Sequence, residues 1–211
     1  SIKILSKFQM KKRSGLIVFS SGSSGKPKAI LHDFKLLLNK FKIERPGFKT
    51  ILMLTFDHLG GINTLLASLF FKDGIAICTT KRDPVSIGKL IQKTKAELLP
   101  TTPTFLNIFL LSREYKKRNL TSIKLITFGA EFMPSELLKK LKQTFKKVKF
   151  KQTYGLSEIG VMRTKSKDND SLSIKVGGED YKIKIINEIL YIKSKSNMVG
   201  YLNAPQPFDK D

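Results

Sequence analysis

Between Leu16 and Tyr154, short apolar runs alternate with stretches of helical periodicity, the arrangement of an α/β protein. The runs that predict strands cover residues 16–20, 50–54, 75–79, 96–99, 124–128 and 149–153. Strands that are apolar along their whole length are buried on both faces, so a largely parallel, doubly covered sheet is expected. Between them, Ile62, Leu65, Leu66, Leu69 and Phe70 share one helical face, and Ile87, Leu90 and Ile91 share another. Pro103 opens the apolar helix 103–111 from a first-turn position. Pro134 is read the same way, ahead of a stripe of Leu137, Leu138, Leu141, Phe145 and Val148. The opposite face of that helix carries Lys139, Lys140, Lys142, Lys146 and Lys147.

After Gly160 the texture changes. Residues 164–171 are polar and charged, and then 181–185 and 189–193 alternate apolar with polar around Asn187-Glu188. That pattern predicts an antiparallel hairpin with one face in water. A boundary is therefore expected near 165, dividing an α/β core (1–165) from a small, incomplete, antiparallel β-rich segment (166–211). No internal repeat or low-complexity segment is visible.

Composition narrows the class. A chain of 211 residues with 41% hydrophobic positions can bury a sizeable core, which excludes disorder as its main state. No apolar run reaches the ~20 residues of a membrane span, and no signal-peptide core stands near the N-terminus, so a cytoplasmic protein is expected. The single cysteine, Cys78, excludes an internal disulfide and a cysteine metal cluster. Lys and Arg number 39 against 17 Asp and Glu, a net charge of +22, which predicts attraction to polyanions. Only six of those cations are arginine, the residue suited to reading base edges and forking phosphates. A lysine-biased solvated surface is the simpler reading, and no specific nucleic-acid partner is expected. Because the sequence starts at Ser1 and stops at Asp211 in a run that looks unfinished, a processed or excised piece of a longer protein is expected.

The most informative stretch is 16–29, Leu-Ile-Val-Phe-Ser-Ser-Gly-Ser-Ser-Gly-Lys-Pro-Lys-Ala. An apolar strand delivers the chain into Ser20, Ser21, Gly22, Ser23, Ser24 and Gly25, closed by Lys26-Pro27-Lys28. Glycines let successive backbone N–H groups converge on an anion, hydroxyls add donors, and lysine adds a mobile charge. This is a loop built for polyphosphate, expected to join the first strand to a following helix. It is not a Walker loop: Ser20 stands at the first glycine position and Pro27 at the magnesium-binding hydroxyl.

At every position the loop resembles the signature of the adenylate-forming superfamily, the group of acyl-CoA synthetases, peptide-synthetase adenylation domains and firefly luciferase. Four further stretches follow in that superfamily's order. Thr55-Phe56-Asp57-His58-Leu59-Gly60-Gly61 is similar to the aromatic-x-His-x-x-Gly element, whose histidine lines the pocket for the substrate carboxylate. Ile126-Thr127-Phe128-Gly129-Ala130-Glu131 resembles the strand and turn that lie against adenine. Gln152-Thr153-Tyr154-Gly155-Leu156-Ser157-Glu158 resembles the element whose aromatic ring stacks on adenine, whose hydroxyl contacts the α-phosphate and whose carboxylate holds Mg²⁺. Asn187-Glu188-Ile189 and Gly200-Tyr201-Leu202-Asn203 are similar to the Gly-Glu-Ile strand and Gly-Tyr-x-Asn turn, with Asn187 in place of the usual glycine.

The resemblance implies ATP-dependent activation of a carboxylic acid as an acyl-adenylate, by an AMP-forming acid–thiol ligase. Lys28, His58, Ser157 and Glu158 are its catalytic candidates, and Glu158 its metal ligand. Ser20 to Gly25, Lys28, Gly129 to Glu131, Thr153 to Gly155 and Ser157 would cradle ATP, with CoA or a carrier-protein thiol as second substrate. The ribose-binding Thr-Gly-Asp turn and the small C-terminal domain with its catalytic lysine have no counterpart in these residues. The chain alone is therefore expected to be a nucleotide-binding core with little or no turnover. Residues 98–103 with Phe105 and Leu106 are expected to line or back the acid pocket. Two other readings use the same residues: a basic module for nucleic acid or acidic membrane, and a non-catalytic remnant of the fold. Neither the particular acid nor the oligomeric state can be read.

Overall fold

The computed structural model describes residues 2–20, 26–166, 172–178 and 181–206. Helix α1 (Ile2–Met10) leads into strand β1 (Gly15–Ser20), which is answered by β2 (Lys28–Asp33). The two pair antiparallel in continuous register from Gly15↔Asp33 to Ser20↔Lys28. This corrects the sequence expectation twice: the first strand does not join the parallel sheet, and the loop joins strand to strand. The reason is burial. Every residue from Ala29 to Asp33 is buried, so β2 shows no alternation by which to know it from the start of a helix. Asp33 ends the strand and caps α2 (Phe34–Asn39), accepting from Leu36 N at 3.3 Å. Arg13 is ion-paired to the other carboxylate oxygen.

The parallel sheet is built from β3 (Lys49–Leu52), β4 (Ile75–Cys78), β5 (Leu98–Thr101), β6 (Leu125–Phe128) and β7 (Lys149–Gln152), in the order β4-β3-β5-β6-β7. Between the strands run α3 (Leu59–Phe70), α4 (Pro84–Thr94), α5 (Pro103–Leu111), α6 (Glu114–Lys117) and α7 (Ser135–Thr144). The sheet is covered on both sides. Ile87 and Ile91 of α4, Phe105, Leu106 and Phe109 of α5, and Leu138 and Leu141 of α7 share a core with Ile51, Leu99, Ile126 and Phe128 of the sheet. Leu59 of α3 belongs instead to a second core, with Val18, Ile30, Leu37, Met198 and Tyr201. Pro103 starts α5 as expected, after an N-cap Thr102 whose hydroxyl accepts from Phe105 N. Pro134 is the N-cap of α7 rather than its first helical residue.

Past β7 the chain turns antiparallel. Strands β8 (Tyr154–Leu156), β9 (Gly160–Ser166) and β10 (Ile174–Gly177) form one sheet in the order β10-β9-β8. Strand β9 runs through position 165, where the composition changes. The expected hairpin is β11 (Tyr181–Ile186) with β12 (Ile189–Ser194), joined by Asn187 and Glu188 at φ 48° and 65°. Positive φ at both turn residues is the type I′ geometry that matches the twist of a two-residue hairpin, and asparagine tolerates it. Finally β13 (Gly200–Tyr201) returns to the N-terminal sheet and pairs antiparallel with β2.

Candidate functional site

In an open parallel sheet, ligands gather outside the carboxyl ends of the strands, where the chain order reverses. Here the reversal lies between β3 and β5, since the chain goes from β3 outward to β4 and then crosses back to β5. The carboxyl end of β3 runs through residues 53–57 to His58, the N-cap residue of α3. That of β5 leads to Thr102, that of β6 to Gly129-Ala130-Glu131, and that of β7 to Thr153 and Tyr154. Three motifs far apart in sequence thus follow the strand ends on one rim of one sheet.

The glycines of these motifs answer to close approach. A Cβ on Gly61 would stand 2.0 Å from Thr55 O, so only glycine lets α3 begin so near the end of β3. A Cβ on Gly129 would meet Thr153 Oγ1 at 2.3 Å and Thr153 O at 2.9 Å. Thr153 in turn donates to Phe128 O through its N at 2.7 Å and its hydroxyl at 3.1 Å. The β6 and β7 turns are therefore in direct contact. Ala130 follows at φ 66°, and Glu131 reaches across the rim, its Oε2 accepting from Thr104 N at 3.0 Å and Thr104 Oγ1 at 2.6 Å. Those hydrogen bonds, that of the hydroxyl first, hold its carboxyl below the usual carboxylate range.

His58 is exposed and makes no side-chain cap, with Nε2 3.7 Å from Asp57 Oδ2. The Thr55 side chain, ahead of the nearby His58, holds the Asp57 carboxyl low. Phe105 and Leu106 are 7% and 0% exposed, so they back the rim from within the core rather than line an opening.

Ser20 and Lys28 face each other at the loop end of the β1–β2 hairpin. Ser21, Gly22, Ser23, Ser24 and Gly25 lie outside the described residues. What the structure describes is the exit of that loop, and it is held tightly. Asn203 Oδ1 accepts from Ala29 N at 2.7 Å while its Nδ2 donates to Pro27 O at 2.9 Å, so one side chain holds the backbone on both sides of Lys28. Leu202 N donates to Ala29 O at 2.8 Å. Lys28 Nζ sits 5.1 Å from the ring centroid of Tyr201, and the Tyr201 hydroxyl donates to Glu158 Oε1 at 2.7 Å.

Ser157 and Glu158 lie in the turn between β8 and β9. Gly155 in β8 has no room for a side chain, because a Cβ there would come within 2.7 Å of Gly160 O. The turn is tied to the N-terminal sheet twice: His32 Nε2 meets Ser157 O at 2.7 Å, and Met198 N donates to Glu158 O at 2.8 Å. Lys28, Tyr201, Glu158 and Ser157 are thereby connected through an unbroken set of contacts.

His32, Tyr201 and Asn203 carry this geometry, and sequence reasoning assigned none of them a role. The Gly200-Tyr201-Leu202-Asn203 turn was the available signal for two of them. His32 gave no signal, since it sits in the strand whose burial concealed it.

An α/β protein with polar motifs on the switch-point rim of a parallel sheet, beside a Lys- and Ser-bearing hairpin mouth, has the form of a nucleotide-handling enzyme domain. The chain belongs to the AMP-binding enzyme family, whose sequence model matches residues 11–202. It is 27% identical over 190 residues to the D-alanine–D-alanyl carrier protein ligase of Bacillus licheniformis, covering 82% of this chain and 37% of that protein. It is 26% identical over 155 residues to 4-coumarate–CoA ligase 4 of Arabidopsis thaliana, covering 68% of this chain and 27% of that protein. Among solved structures, the anthranilate CoA ligase AuaEII in complex with anthranoyl-AMP superposes with a TM-score of 0.73 at 19% identity. The match covers 89% of this chain and 40% of AuaEII. Apo MatB from Rhodopseudomonas palustris superposes at 0.69 and 20% identity, over the same shares. At those identities the superpositions establish the fold. The chain spans well under half the length of these relatives.

Proposed function

We propose that these residues form the nucleotide-binding core, 1–165, and an incomplete β-rich segment, 166–211, of an enzyme that activates a carboxylic acid with ATP. A carboxylate oxygen attacks the α-phosphorus, the bond from that phosphorus to the bridging oxygen breaks, and pyrophosphate leaves as the acyl-adenylate forms. Such a step is catalysed mainly by positioning and by neutralising charge on the phosphates. Lys28 and the hydroxyls and backbone N–H groups of residues 20–25 take the β- and γ-phosphates. Ser157 takes the α-phosphate, Tyr154 stacks on adenine against the backbone of Gly129, Ala130 and Glu131, and His58 meets the incoming carboxylate. Thr153 and Gly155 shape the wall between them. Transfer to a thiol, of CoA or of a carrier protein, completes the reaction in the acid–thiol ligase form that the relatives' names support.

The single observation that carries this reading is the linkage of Lys28 to Glu158 through Tyr201. It joins a cation at the mouth of the Ser/Gly loop to a carboxylate on the turn after β8.

Mg²⁺ fits the residues present in one way. Among the described residues no three His, Cys, Asp or Glu side chains cluster to hold a metal. Glu158 offers one carboxylate, with Oε1 engaged by Tyr201 and no other hydrogen bond to the carboxylate among those residues. One carboxylate together with phosphate oxygens and water is the usual magnesium environment in a nucleotide site. Bound there, the ion would neutralise phosphate charge; Glu158 would hold it and Tyr201 would orient Glu158.

The relatives are more than twice as long, and the chain by itself is expected to bind nucleotide with little turnover. A +22 polyanion module is the weaker reading: the exposed Lys139, Lys140, Lys146 and Lys147 form the solvent side of an ordinary amphipathic segment over the buried Leu138 and Leu141. The test is calorimetry with an unhydrolysable ATP analogue and Mg²⁺, on the chain and on its Lys28→Ala and Glu158→Ala variants. Saturable binding that both substitutions weaken supports the reading. Absence of binding at millimolar analogue, by a chain that unfolds cooperatively on heating, overturns it.

A further inference from the structure

We propose that Tyr201 is a positioning residue that couples the loop lysine to the metal-side carboxylate, so that Lys28 and Glu158 meet a polyphosphate as one preset pair; this rests on the reading above. Tyr201 is the described residue that touches both groups, its ring under Lys28 Nζ at 5.1 Å and its hydroxyl on Glu158 Oε1 at 2.7 Å.

A residue serving only to fill the core would need no hydroxyl. Tyr201 is 5% exposed and packs with Val18, Ile30 and Met198, a setting in which phenylalanine would serve equally well for packing. Its phenol is instead aimed at a carboxylate, which then has a fixed orientation and one oxygen left for a cation. Burial, and then the Glu158 carboxylate, push the phenol up to about 12, so it remains a donor at every working pH.

The backbone is held with matching care. Tyr201 N donates to Gln206 Oε1 at 2.9 Å, and Gln206 Nε2 donates back to Tyr201 O at 2.8 Å. Gly200 precedes it at φ 157°, with Gln206 Oε1 only 2.4 Å from where a Cβ would stand. β13 pairs Tyr201 with Ile30, two residues beyond Lys28 on the same strand. The ring is thus referenced to the loop exit and its hydroxyl to the β8–β9 turn. The two charges cannot drift apart without breaking a contact to this one side chain.

The two contacts can be removed separately. Tyr201→Phe keeps the ring under Lys28 and loses the donor to Glu158; Tyr201→Leu loses both. In calorimetry of the full chain with an unhydrolysable ATP analogue, Tyr201→Phe should bind the metal-free nucleotide as the wild type does. The Mg²⁺ concentration needed to strengthen that binding should rise roughly tenfold, the usual effect of losing an outer partner of a metal ligand. Tyr201→Leu should weaken metal-free binding as well, by about two- to fivefold. An unchanged Mg²⁺ dependence in Tyr201→Phe, or an equal loss with and without the ion, overturns the proposal while leaving the nucleotide site standing. Absence of nucleotide binding by the wild type removes both.

Discussion

His32, itself fully buried, meets the carbonyl oxygen of Ser157 through Nε2 at 2.7 Å across 125 residues of chain. A carbonyl can only accept, so the imidazole donates from Nε2, and in its neutral form the proton is on that nitrogen. Nδ1 has no partner among the described residues. A second proton there would place an unpaired N–H in the core.

From this follows a pH dependence whose sign can be worked out. Burial lowers the His32 pKa below 6.5, with the Ser157 hydrogen bond and then Glu158 only partly offsetting it. In the window between the two values the unfolded chain binds more protons, so stability is fully present above 6.5 and is lost as the pH falls through the folded value. Each pKa unit of separation is worth about 1.4 kcal/mol. The only other histidine, His58, is exposed. Thermal melts should therefore fall from pH 7.5 to 5 in the wild type and stay nearly level in His32→Gln, whose amide keeps a donor. Parallel slopes for the two proteins would remove His32 as the cause.

Lys40 predicts a change of the same sign at higher pH. Its Nζ donates to Val161 O at 3.1 Å beside an apolar hollow of about 20 Å³ lined by Leu37, Phe41, Leu59, Ile62 and Leu66. Burial, and then Arg163, lower its pKa from 10.5 to about 8. The unfolded chain again binds more protons between those values, so stability should rise with pH from 8 toward 10. Lys40→Met, which keeps the stem and drops the charge, should remove that rise and melt no lower than the wild type at pH 7. A Lys40→Met protein that keeps the upward slope places its origin elsewhere.

How far the chain could be read without coordinates depended on how each residue is buried. The strands of the parallel sheet and the Asn187-Glu188 turn were legible, because continuous apolar runs and a short polar interruption leave a mark in composition. The hairpin of β1 and β2 was not, since residues 29–33 are buried on both faces and alternate in nothing. Gly129 and Glu131 were visible as a motif, yet the grip of Glu131 on Thr104 was not: a contact across 27 residues has no local pattern. The linkage of Lys28, Tyr201 and Glu158 joins residues as distant in sequence as 28 and 201, and it forms when β13 folds onto β2.

Asn203 offers a test of the loop exit that leaves every charged group in place. Asn203→Ala removes the acceptor of Ala29 N, which is buried, and the donor to Pro27 O. A buried N–H left unpaired costs about 1–3 kcal/mol. Part of that stability loss should be recovered in Asn203→Asp, which restores the acceptor but adds a negative charge beside Lys28. Nucleotide affinity should be lower in Asn203→Ala than in the wild type, read by calorimetry at saturating Mg²⁺. Equal affinities in those two proteins would show that the backbone around Lys28 does not need Asn203.

Gly129 and Glu131 stand two residues apart in one turn, and the structure assigns them separable consequences. The Glu131 carboxylate lies on the N-terminal turn of α5, where a negative charge with hydrogen bonds to a backbone N–H and a hydroxyl stabilises the helix by about 0.5 kcal/mol once solvent screening of this exposed group is allowed for. Its lowered pKa means that this contribution is present above 4.5 and is lost as the pH falls through the folded value. Glu131→Gln should therefore lower the melting temperature modestly at pH 7, less so at pH 4, and change nucleotide affinity by less than about twofold. Gly129→Ala should do something different. Its Cβ would collide with the Thr153 hydroxyl and carbonyl, driving the β6 and β7 turns apart at a cost of about 1–3 kcal/mol. If adenine lies between those turns, affinity should drop by tenfold or more, and Thr153→Ala should recover only part of it because the carbonyl contact at 2.9 Å remains. A large affinity loss in Glu131→Gln with little in Gly129→Ala would reverse the assignment, putting the carboxylate on the nucleotide and the glycine merely in the scaffold.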